Sequence, residues 1–354
     1  MQESLPTPMA TKENSEPMRK LIAHCNSFKG ADTGRSIFQL ATTACAYFAT
    51  CAVMLYSFVH GYYLAAIPLI ILASGLLVRL FIIQHDCGHG SFFRSRRAND
   101  MVGRCISVLT FTPYDFWRRA HSMHHAASGN LSGRGVGSLD TLTVKEYLAL
   151  PPRERRIYRM YRNPVTQAVF IPILYIFFIQ RFPPSQSLPF LKNYKSISFA
   201  KSWRSIFALD AALAVGIVLM GIFVGWAPLF LGYIPVVVLT TLMGGWLFFI
   251  QHQFEGTYWN HQDGWNFHEA AVFGSSYYIL PPVLKWFSGN IGIHHIHHLC
   301  SKIPNYKLQA CLNGNAMLQQ TNRMTLKESF KCLRYALWDE VQKKMVSFRE
   351  LQIA

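Results

Sequence analysis

The chain has 354 residues, of which 51% are hydrophobic and 15% charged, and this balance is too apolar for an ordinary soluble domain. Its formal net charge of +16 is spread between apolar stretches and forms no compact basic domain, so we expect no nucleic-acid partner. The eight cysteines include no CxxC pair and no extracellular-style framework, which indicates free thiols in a reducing compartment.

Residues 1–36 begin the chain as a polar segment without the apolar core of a signal peptide, and we predict a flexible cytosolic tail. Apolar stretches follow at about 37–59 and 62–84, and each is long enough to cross a hydrocarbon core, which needs about 20 residues. Only a few residues around His60 and Gly61 separate them. The two stretches therefore predict a tight transmembrane helical hairpin.

The first histidine cluster, HDCGH, directly follows the second stretch and contains His85 and His89. Residues four apart lie on one face of a helix, so both imidazoles can point at one metal. The alternative is a pair of interfacial histidines satisfied by water or by the backbone. Asp86 between them is a candidate for a carboxylate that orients an imidazole through a hydrogen bond, although a solvated surface carboxylate fits equally well.

A short apolar segment at about 101–116 leads into the second cluster, HSMHH, which contains His121, His124 and His125. The segment is short for a span and carries Arg104, so we expect it to lie in the interface or to enter and return on one side. The HxxHH spacing again places imidazoles on one helix face. Alone this motif is weak evidence, because paired surface histidines occur by chance.

A second short segment, at about 165–181, precedes another predicted hairpin with spans at about 206–226 and 228–250. If all histidine clusters serve one site, the chain must cross the membrane an even number of times between His125 and His294. The hairpin already supplies an even number of crossings. Segment 165–181 should therefore not cross alone, and we predict that it is interfacial or re-entrant.

His252 ends the last span at the same depth as the first cluster, which favours a metal ligand over the solvated residue usual at a helix end. Glu255 follows it closely and is a second candidate for orienting an imidazole, with a solvated carboxylate as the alternative. His261 and His268 have no such placement, and we interpret them as plain surface residues.

The third cluster is HHIHH, in which His294, His297 and His298 repeat the HxxHH spacing and His295 is left over. Imidazole is the commonest protein ligand for transition metals, and a structural zinc takes only four ligands. The three clusters together exceed that number, which predicts two metals held close together. Residues 316–354 then form a predicted cytosolic tail that is partly helical.

The positive charge indicates the orientation. Of the 34 Lys and Arg residues, all but Arg79 lie outside the predicted spans, and the tips of both hairpins carry none. The positive-inside rule then places both termini and all three clusters in the cytosol. The predicted fold is an all-α integral membrane protein, with four transmembrane helices in two hairpins and a cytosolic histidine-rich helical cap, and residues 37–315 form its membrane domain.

The three clusters and their flanking stretches resemble the membrane fatty acyl desaturases, and within them the bacterial acyl-lipid branch similar to the delta-5 and delta-12 enzymes. The stretches that carry the resemblance are WRRAHSMHHAASGNL, GVGSLDTLTVKEY, QHQFEGTYW and WFSGNIGIHHIHHL. The resemblance runs from about residue 35 to about residue 315 and implies a non-haem diiron centre. The implied ligands are His85, His89, His121, His124, His125, His252, His294, His297 and His298.

One feature of the family does not carry over. In some relatives an asparagine four residues before a ligand histidine that follows a span makes a water-mediated contact with the metal. That position is Phe248 here. Asn290, four residues before His294, is only a weak substitute.

The implied reaction removes hydrogen from an unactivated methylene of a lipid acyl chain. No side-chain base achieves this, so dioxygen, two electrons and an oxidising metal centre are required. The sequence has no GxGxxG fingerprint, no CxxCH haem site and no ferredoxin cysteine pattern. We therefore expect an external ferredoxin-like or cytochrome-type electron donor. The lack of an obvious transit peptide favours a bacterial cytoplasmic membrane.

Two other classes of protein use similar residues. A membrane diiron hydroxylase would use the same histidine clusters, and only the flanking stretches favour desaturation. A metal transporter with a histidine-rich gate typically has ionisable residues near mid-membrane and repeated, broken helices. Within the predicted spans the only carboxylate is Asp210, near the start of the third, and all clusters lie outside the spans.

Overall fold

The computed structural model describes residues 16–134, 139–181 and 199–352, and over these residues the chain is mostly helical. The α-helices are α1 (Glu16–Asn26), α2 (Thr33–Val59), α3 (Tyr63–His89), α4 (Arg96–Leu109), α5 (Tyr114–Ala127), α6 (Val144–Ala149), α7 (Pro152–Tyr161), α8 (Ile171–Phe177), α9 (Phe199–Phe223), α10 (Trp226–Pro228), α11 (Ile234–His252), α12 (Phe267–Phe273), α13 (Pro282–Phe287), α14 (His294–Leu299), α15 (Asn305–Asn313), α16 (Ala316–Gln320) and α17 (Leu326–Ser329). Short 3-10 turns cover Leu131–Gly133, Ile179–Arg181, Gln262–Gly264, Phe330–Arg334 and Glu350–Gln352, and π turns cover Thr166–Phe170 and Leu229–Tyr233.

Short strands connect distant parts of the cap. They are β1 (Leu142–Thr143), β2 (Tyr277–Ile279), β3 (Arg323–Thr325), β4 (Leu337–Asp339) and β5 (Lys344–Val346). Strand β4 lies between β1, to which it is parallel, and β5, to which it is antiparallel, while β2 and β3 form a separate parallel pair. In the larger sheet Leu142 pairs with Leu337, and Leu337 with Val346.

Four helical stretches of the described residues are long and apolar enough to cross a membrane, at Thr33–Val59, Tyr63–His89, Ala200–Phe223 and Trp226–His252. They confirm the predicted fold class, a mostly helical protein with four helices of the length and apolar composition of membrane spans. The last stretch contains the π turn Leu229–Tyr233, which precedes Pro235. Proline has no N–H to donate, so the regular hydrogen-bond ladder shifts at this point.

Helices α3 and α11 form the centre of the molecule and position the histidine-rich cap. Ser74 donates a hydrogen bond to the backbone oxygen of Val236 at 3.2 Å, and Thr240 donates one to the oxygen of Ser74 at 3.2 Å. Since both helices run in the same direction, their C-terminal ends reach the same level, with His89 and His252 as their last residues.

The end of α3 depends on a glycine. Gly90 has φ +64°, a left-handed conformation in which a side chain is strained, and its N–H bonds to the carbonyl oxygens of the last helical turn. The helix therefore continues to His89 and stops there. As a result His85 and His89 both lie on regular helix, one turn apart.

The two short apolar segments are not straight spans. The first is divided between α4 and α5, which are separated by a turn in which Phe111 has φ +55°. The second, Thr166–Arg181, is set at 60° to the preceding helix Pro152–Tyr161, as in a broken span or a re-entrant loop. That both segments are interfacial or re-entrant stays a prediction.

The prediction of a flexible N-terminal tail was wrong for residues 16–26. These residues form α1, which buries Leu21 and Cys25 in an apolar cluster with Ile296 and Leu308. The helix has an apolar face at a helical spacing that the tail interpretation overlooked, and this face packs beneath the third histidine cluster. Residues 1–15 lie outside the described residues.

The predicted C-terminal tail is also part of the folded cap. Leu337 and Trp338 are 0% and 2% exposed, and β4 is paired on both sides. The Tyr158 hydroxyl donates a hydrogen bond to the backbone oxygen of Ala336 at 2.8 Å. Helices α16 and α17 lie within this segment, and residues 353–354 lie outside the described residues.

Candidate metal centre

The structure brings the nine predicted histidines together into two neighbouring groups. In each group one nitrogen from every ring lies within 4.8 Å of the others. The five-histidine group consists of His85, His89, His121, His125 and His297, and the four-histidine group consists of His124, His252, His294 and His298. Four helices contribute, namely the C-terminal ends of α3, α5 and α11, and α14.

Each HxxHH cluster is divided between the two groups, so the prediction that a cluster points at one spot was wrong in this detail. On α5, His121 and His125 belong to the five-histidine group, whereas His124 belongs to the other. Consecutive residues point about 100° apart around a helix, so His124 and His125 point to opposite sides of the shared face. Helix α14 divides its histidines in the same way.

The spacing of the nitrogens fits a shared metal in each group. In the five-histidine group, Nε2 of His121 is 2.9 Å from Nε2 of His85 and 3.1 Å from Nε2 of His125. In the four-histidine group, Nε2 of His252 is 3.1 Å from Nε2 of both His124 and His294. Two nitrogens bound at a right angle, each about 2.1 Å from one metal, are about 3.0 Å apart.

The electrostatics of the site keep the rings neutral. Burial is the main cause, and the charge of neighbouring histidines adds to it. Both lower the pKa well below its ordinary value for the group members on α5 and α14, which are His121, His124, His125, His294, His297 and His298. Neutral imidazole is the form that binds metals, so the donor set is ready for a cation at neutral pH.

Several buried ring nitrogens lack a hydrogen-bond partner among the described residues. They include Nε2 of His89 and His298 and Nδ1 of His124, His294 and His297. A buried polar atom without a partner costs about 1–3 kcal/mol. Bound metals would satisfy the Nε2 atoms, so the residues present fit a two-metal centre.

Asp86 lies where it was predicted, beside the five-histidine group. It is 1% exposed, and its Oδ1 is 3.4 Å from Nδ1 of His85. A partner of His252 was not predicted: its Nδ1 donates a hydrogen bond to the backbone oxygen of Gly274 at 3.1 Å. A backbone acceptor 22 residues away leaves no recognisable signal in the sequence.

Glu255 is a solvated surface carboxylate, which is the alternative that the sequence left open. Its side chain is 56% exposed and accepts a hydrogen bond from the Tyr335 hydroxyl at 3.0 Å, with Lys344 at 3.9 Å. The chain leaves the helix at Gln253, so a residue near His252 in sequence points away from the site. The side-chain amide of Asn290 donates a hydrogen bond to the backbone oxygen of Asn305 at 3.2 Å.

The remaining histidines of the cap lie outside both groups. His261 is exposed and pairs with Glu340 at 2.9 Å, as expected of a surface residue, and His268 is half-buried. His295 is fully buried, and its Nε2 donates to the backbone oxygen of Leu318 at 3.0 Å. His295 therefore anchors α14 to the C-terminal segment.

A small cavity of about 20 Å³ borders the four-histidine group, and His124 and His252 form part of its wall. Phe248, at the position where some relatives carry asparagine, has its ring centre 5.3 Å from that of His124. The rest of the lining is largely apolar, with a few polar groups: Ala127, Ser128, Gly129, Leu139, Gln253, Thr257, Tyr258, Trp259 and Gly274. The four-histidine group therefore has a largely apolar surface beside it.

Comparison with known proteins gives consistent matches. A family model described as fatty acid desaturase matches residues 61–320. A fatty acid desaturase of Bacillus subtilis is 37% identical over 344 residues, which are 97% of this chain and 94% of that protein. An sn-1 acyl-lipid omega-3 desaturase (ferredoxin) of Synechocystis is 28% identical over 250 residues, 68% of this chain and 65% of that protein. An sn-1 oleoyl-lipid 12-desaturase of Synechocystis is 26% identical over 235 residues, 66% of this chain and 63% of that protein.

Proposed function

The chain belongs to the fatty acid desaturase family of oxidoreductases, and on that premise we propose that it uses dioxygen to introduce a cis double bond into acyl chains of membrane lipids. The observation that carries the proposal is the convergence of nine histidines beside a largely apolar cavity. The names of the Synechocystis relatives, which specify acyl lipids, support the substrate class.

We propose that the two histidine groups hold two non-haem iron ions, five rings around one and four around the other. Nitrogen ligands suit iron, and the ions would supply the oxidising power that takes hydrogen from two adjacent methylenes. Gly274 and Asp86 hold the Nδ1 sides of two rings, which directs their Nε2 atoms inward.

The protein residues around the cavity would position the acyl chain and exclude water. Phe248 and Leu139 present apolar surface beside His124, and Trp259 is 7% exposed at the wall. An acyl chain against this surface would lie nearest the four-histidine group. The reacting methylenes would then be held close to the iron against a largely apolar wall.

The electrons would come from an external ferredoxin-like or cytochrome-type donor. The printed name of the Synechocystis omega-3 relative includes ferredoxin, and this supports the former. We further propose a multi-pass protein of the bacterial cytoplasmic membrane with both termini and the metal centre in the cytosol. The apolar stretches and the distribution of positive charge support this orientation.

The test is the fatty-acid profile of a host without its own desaturase, with and without this chain and a co-expressed ferredoxin system. Mass spectrometry of derivatised esters would locate any new double bond. We expect a new unsaturated species with the natural chain and with His261→Ala, and none with His294→Ala. Hydroxylated species would move the assignment to a hydroxylase. An unchanged profile from iron-loaded protein with reduced ferredoxin would contradict the acyl-lipid proposal.

A further inference from the structure

The Asp86 carboxylate connects His85 to a distant helix. One oxygen, Oδ1, faces Nδ1 of His85 at 3.4 Å. The other, Oδ2, accepts two hydrogen bonds from Asn305, one from the backbone N–H at 2.7 Å and one from the side-chain amide at 2.8 Å. Asp86 and Asn305 are each 1% exposed. A single residue of α15 therefore fixes the rotation of the carboxylate that faces a predicted ligand.

Asn305 is itself held from two further directions. The side-chain amide of Gln39, on α2, donates to its Oδ1 at 3.0 Å, and that of Asn290 donates to its backbone oxygen at 3.2 Å. With Oδ1 facing a donor, the amide group of Asn305 must face the acceptor Asp86. The contact with Asp86 is therefore specified by the surrounding groups.

The arrangement has a physical reason. A buried carboxylate is costly unless donors surround it, and Asn305 supplies two of them. Asn305 is also the first residue of a nine-residue helix, so Asp86 lies at a helix N-terminus, where negative charge is favoured. With Oδ2 occupied in this way, Oδ1 is left to accept the Nδ1–H of His85, which leaves the Nε2 lone pair of that ring for a metal.

We propose that Asn305 is a positioning residue of the five-histidine group. Through Asp86 it sets the tautomer and orientation of His85, and Gln39 keeps its amide in the required sense. Such outer partners of metal-bound histidines typically change metal affinity about 10–100-fold when removed. The inference rests on the proposed two-metal centre and extends it to residues outside every histidine cluster.

The test is metal binding by the purified full-length protein, first stripped of metal and then titrated anaerobically with Fe(II) or with Co(II), whose ligand-field bands report each site. Asn305→Ala removes only the side-chain donor to Asp86. Asn305→Pro removes both donors, yet proline suits the first position of a helix, and the preceding Pro304 has the extended conformation required (ψ 149°).

We expect the natural protein to bind two metals. Asn305→Ala should weaken one of them about 10-fold and Asn305→Pro about 100-fold, with altered bands for that site alone. Asn313→Ala, at the exposed end of the same helix, is the matched control and should bind both normally. If Asn305→Pro does not fold, Gln39→Leu, which should also weaken one site, takes its place beside Asn305→Ala.

The outcomes separate the two proposals. Natural protein that fails to bind two metals would contradict the proposed metal centre itself. Natural protein with two metals, beside Asn305 variants with unchanged affinities and bands, would overturn the positioning role alone. Equal weakening of both metals would also overturn it, because that result indicates a general loss of structure.

Discussion

At the scale of single residues, histidines that are adjacent in the sequence contact different parts of the structure. His124 and His125 are adjacent but belong to different groups, and His295 lies between members of the groups yet donates a hydrogen bond to a backbone carbonyl. The residue types and spacing were sufficient to predict all members of the two groups. Their division between the groups depends on how α5 and α14 are turned relative to α3 and α11, which the spacing alone does not specify.

A single substitution should empty one group selectively. His252→Ala removes one of four rings and the Nδ1 contact with Gly274, so we expect the iron content of the purified protein to fall from two ions per chain to one, with loss of desaturation. Plasma mass spectrometry of the protein measures this. Glu255→Ala, close by but half-exposed, should keep both ions. Two retained ions in the His252 variant would contradict the assignment of that group.

The metal-free protein should be sensitive to acid. Burial lowers the pKa of His124 and His297 in the fold, whereas in the unfolded chain it is about 6.5. Below that pH the unfolded state binds more protons, so the stability is fully present above about pH 6.5 and is lost as the pH falls below it. Thermal unfolding in detergent between pH 8 and pH 5 should show a falling midpoint.

The control for this effect is a variant with fewer buried titrating rings. His297→Asn should give a shallower fall of the unfolding midpoint between pH 8 and pH 5. A midpoint that is independent of pH in the natural metal-free protein would contradict the argument.

At the scale of elements, segments outside the membrane helices support the site. Helix α1 packs against the cluster that contains Ile296, and β4 attaches the C-terminal residues to β1. The spans could be predicted because long apolar stretches are a strong signal. The strands have only two or three residues, too few for an alternating pattern, and the apolar face of α1 has few members.

Loss of the α1 contact should destabilise the cap. Leu21 is 1% exposed, and Leu21→Ala would leave a cavity beneath α14 that costs about 2–5 kcal/mol of the free energy of unfolding. Ala23→Ser, on the exposed face of the same helix, is the control and should have little effect. Unfolding of purified protein followed by fluorescence measures both. Equal stability of the two variants would show that α1 is not part of the folded cap.

At the scale of the whole molecule, contacts between residues far apart in the sequence hold side chains of the histidine groups in place. The Asp86–Asn305 contact joins residues 219 positions apart, and neither residue type signals it. Glu255 is close to His252 in the sequence, yet its side chain lies at the surface and not at the histidine groups. The histidines of both groups could be predicted from one sequence, whereas the residues that form hydrogen bonds with them required the fold.

The predicted orientation places the first hairpin tip outside the cytosol. In a protein without the exposed Cys45 and Cys105, a cysteine introduced at His60 should react with a membrane-impermeant maleimide in intact spheroplasts. A cysteine introduced at Val341, which is 92% exposed in the cap, should react only after lysis. The reverse labelling pattern would overturn the charge argument.

Helices α5 and α14 each contribute histidines to both groups. Each helix therefore fixes the distance between the two groups. His124 and His125 belong to different groups but share a peptide bond. The helical backbone therefore limits the distance between their ring nitrogens. A displacement of α5 would move histidines of both groups together. The two groups would then move in the same direction, and the distance between them would stay nearly constant. Loops around the cap can then vary without changing the distance between the two histidine groups.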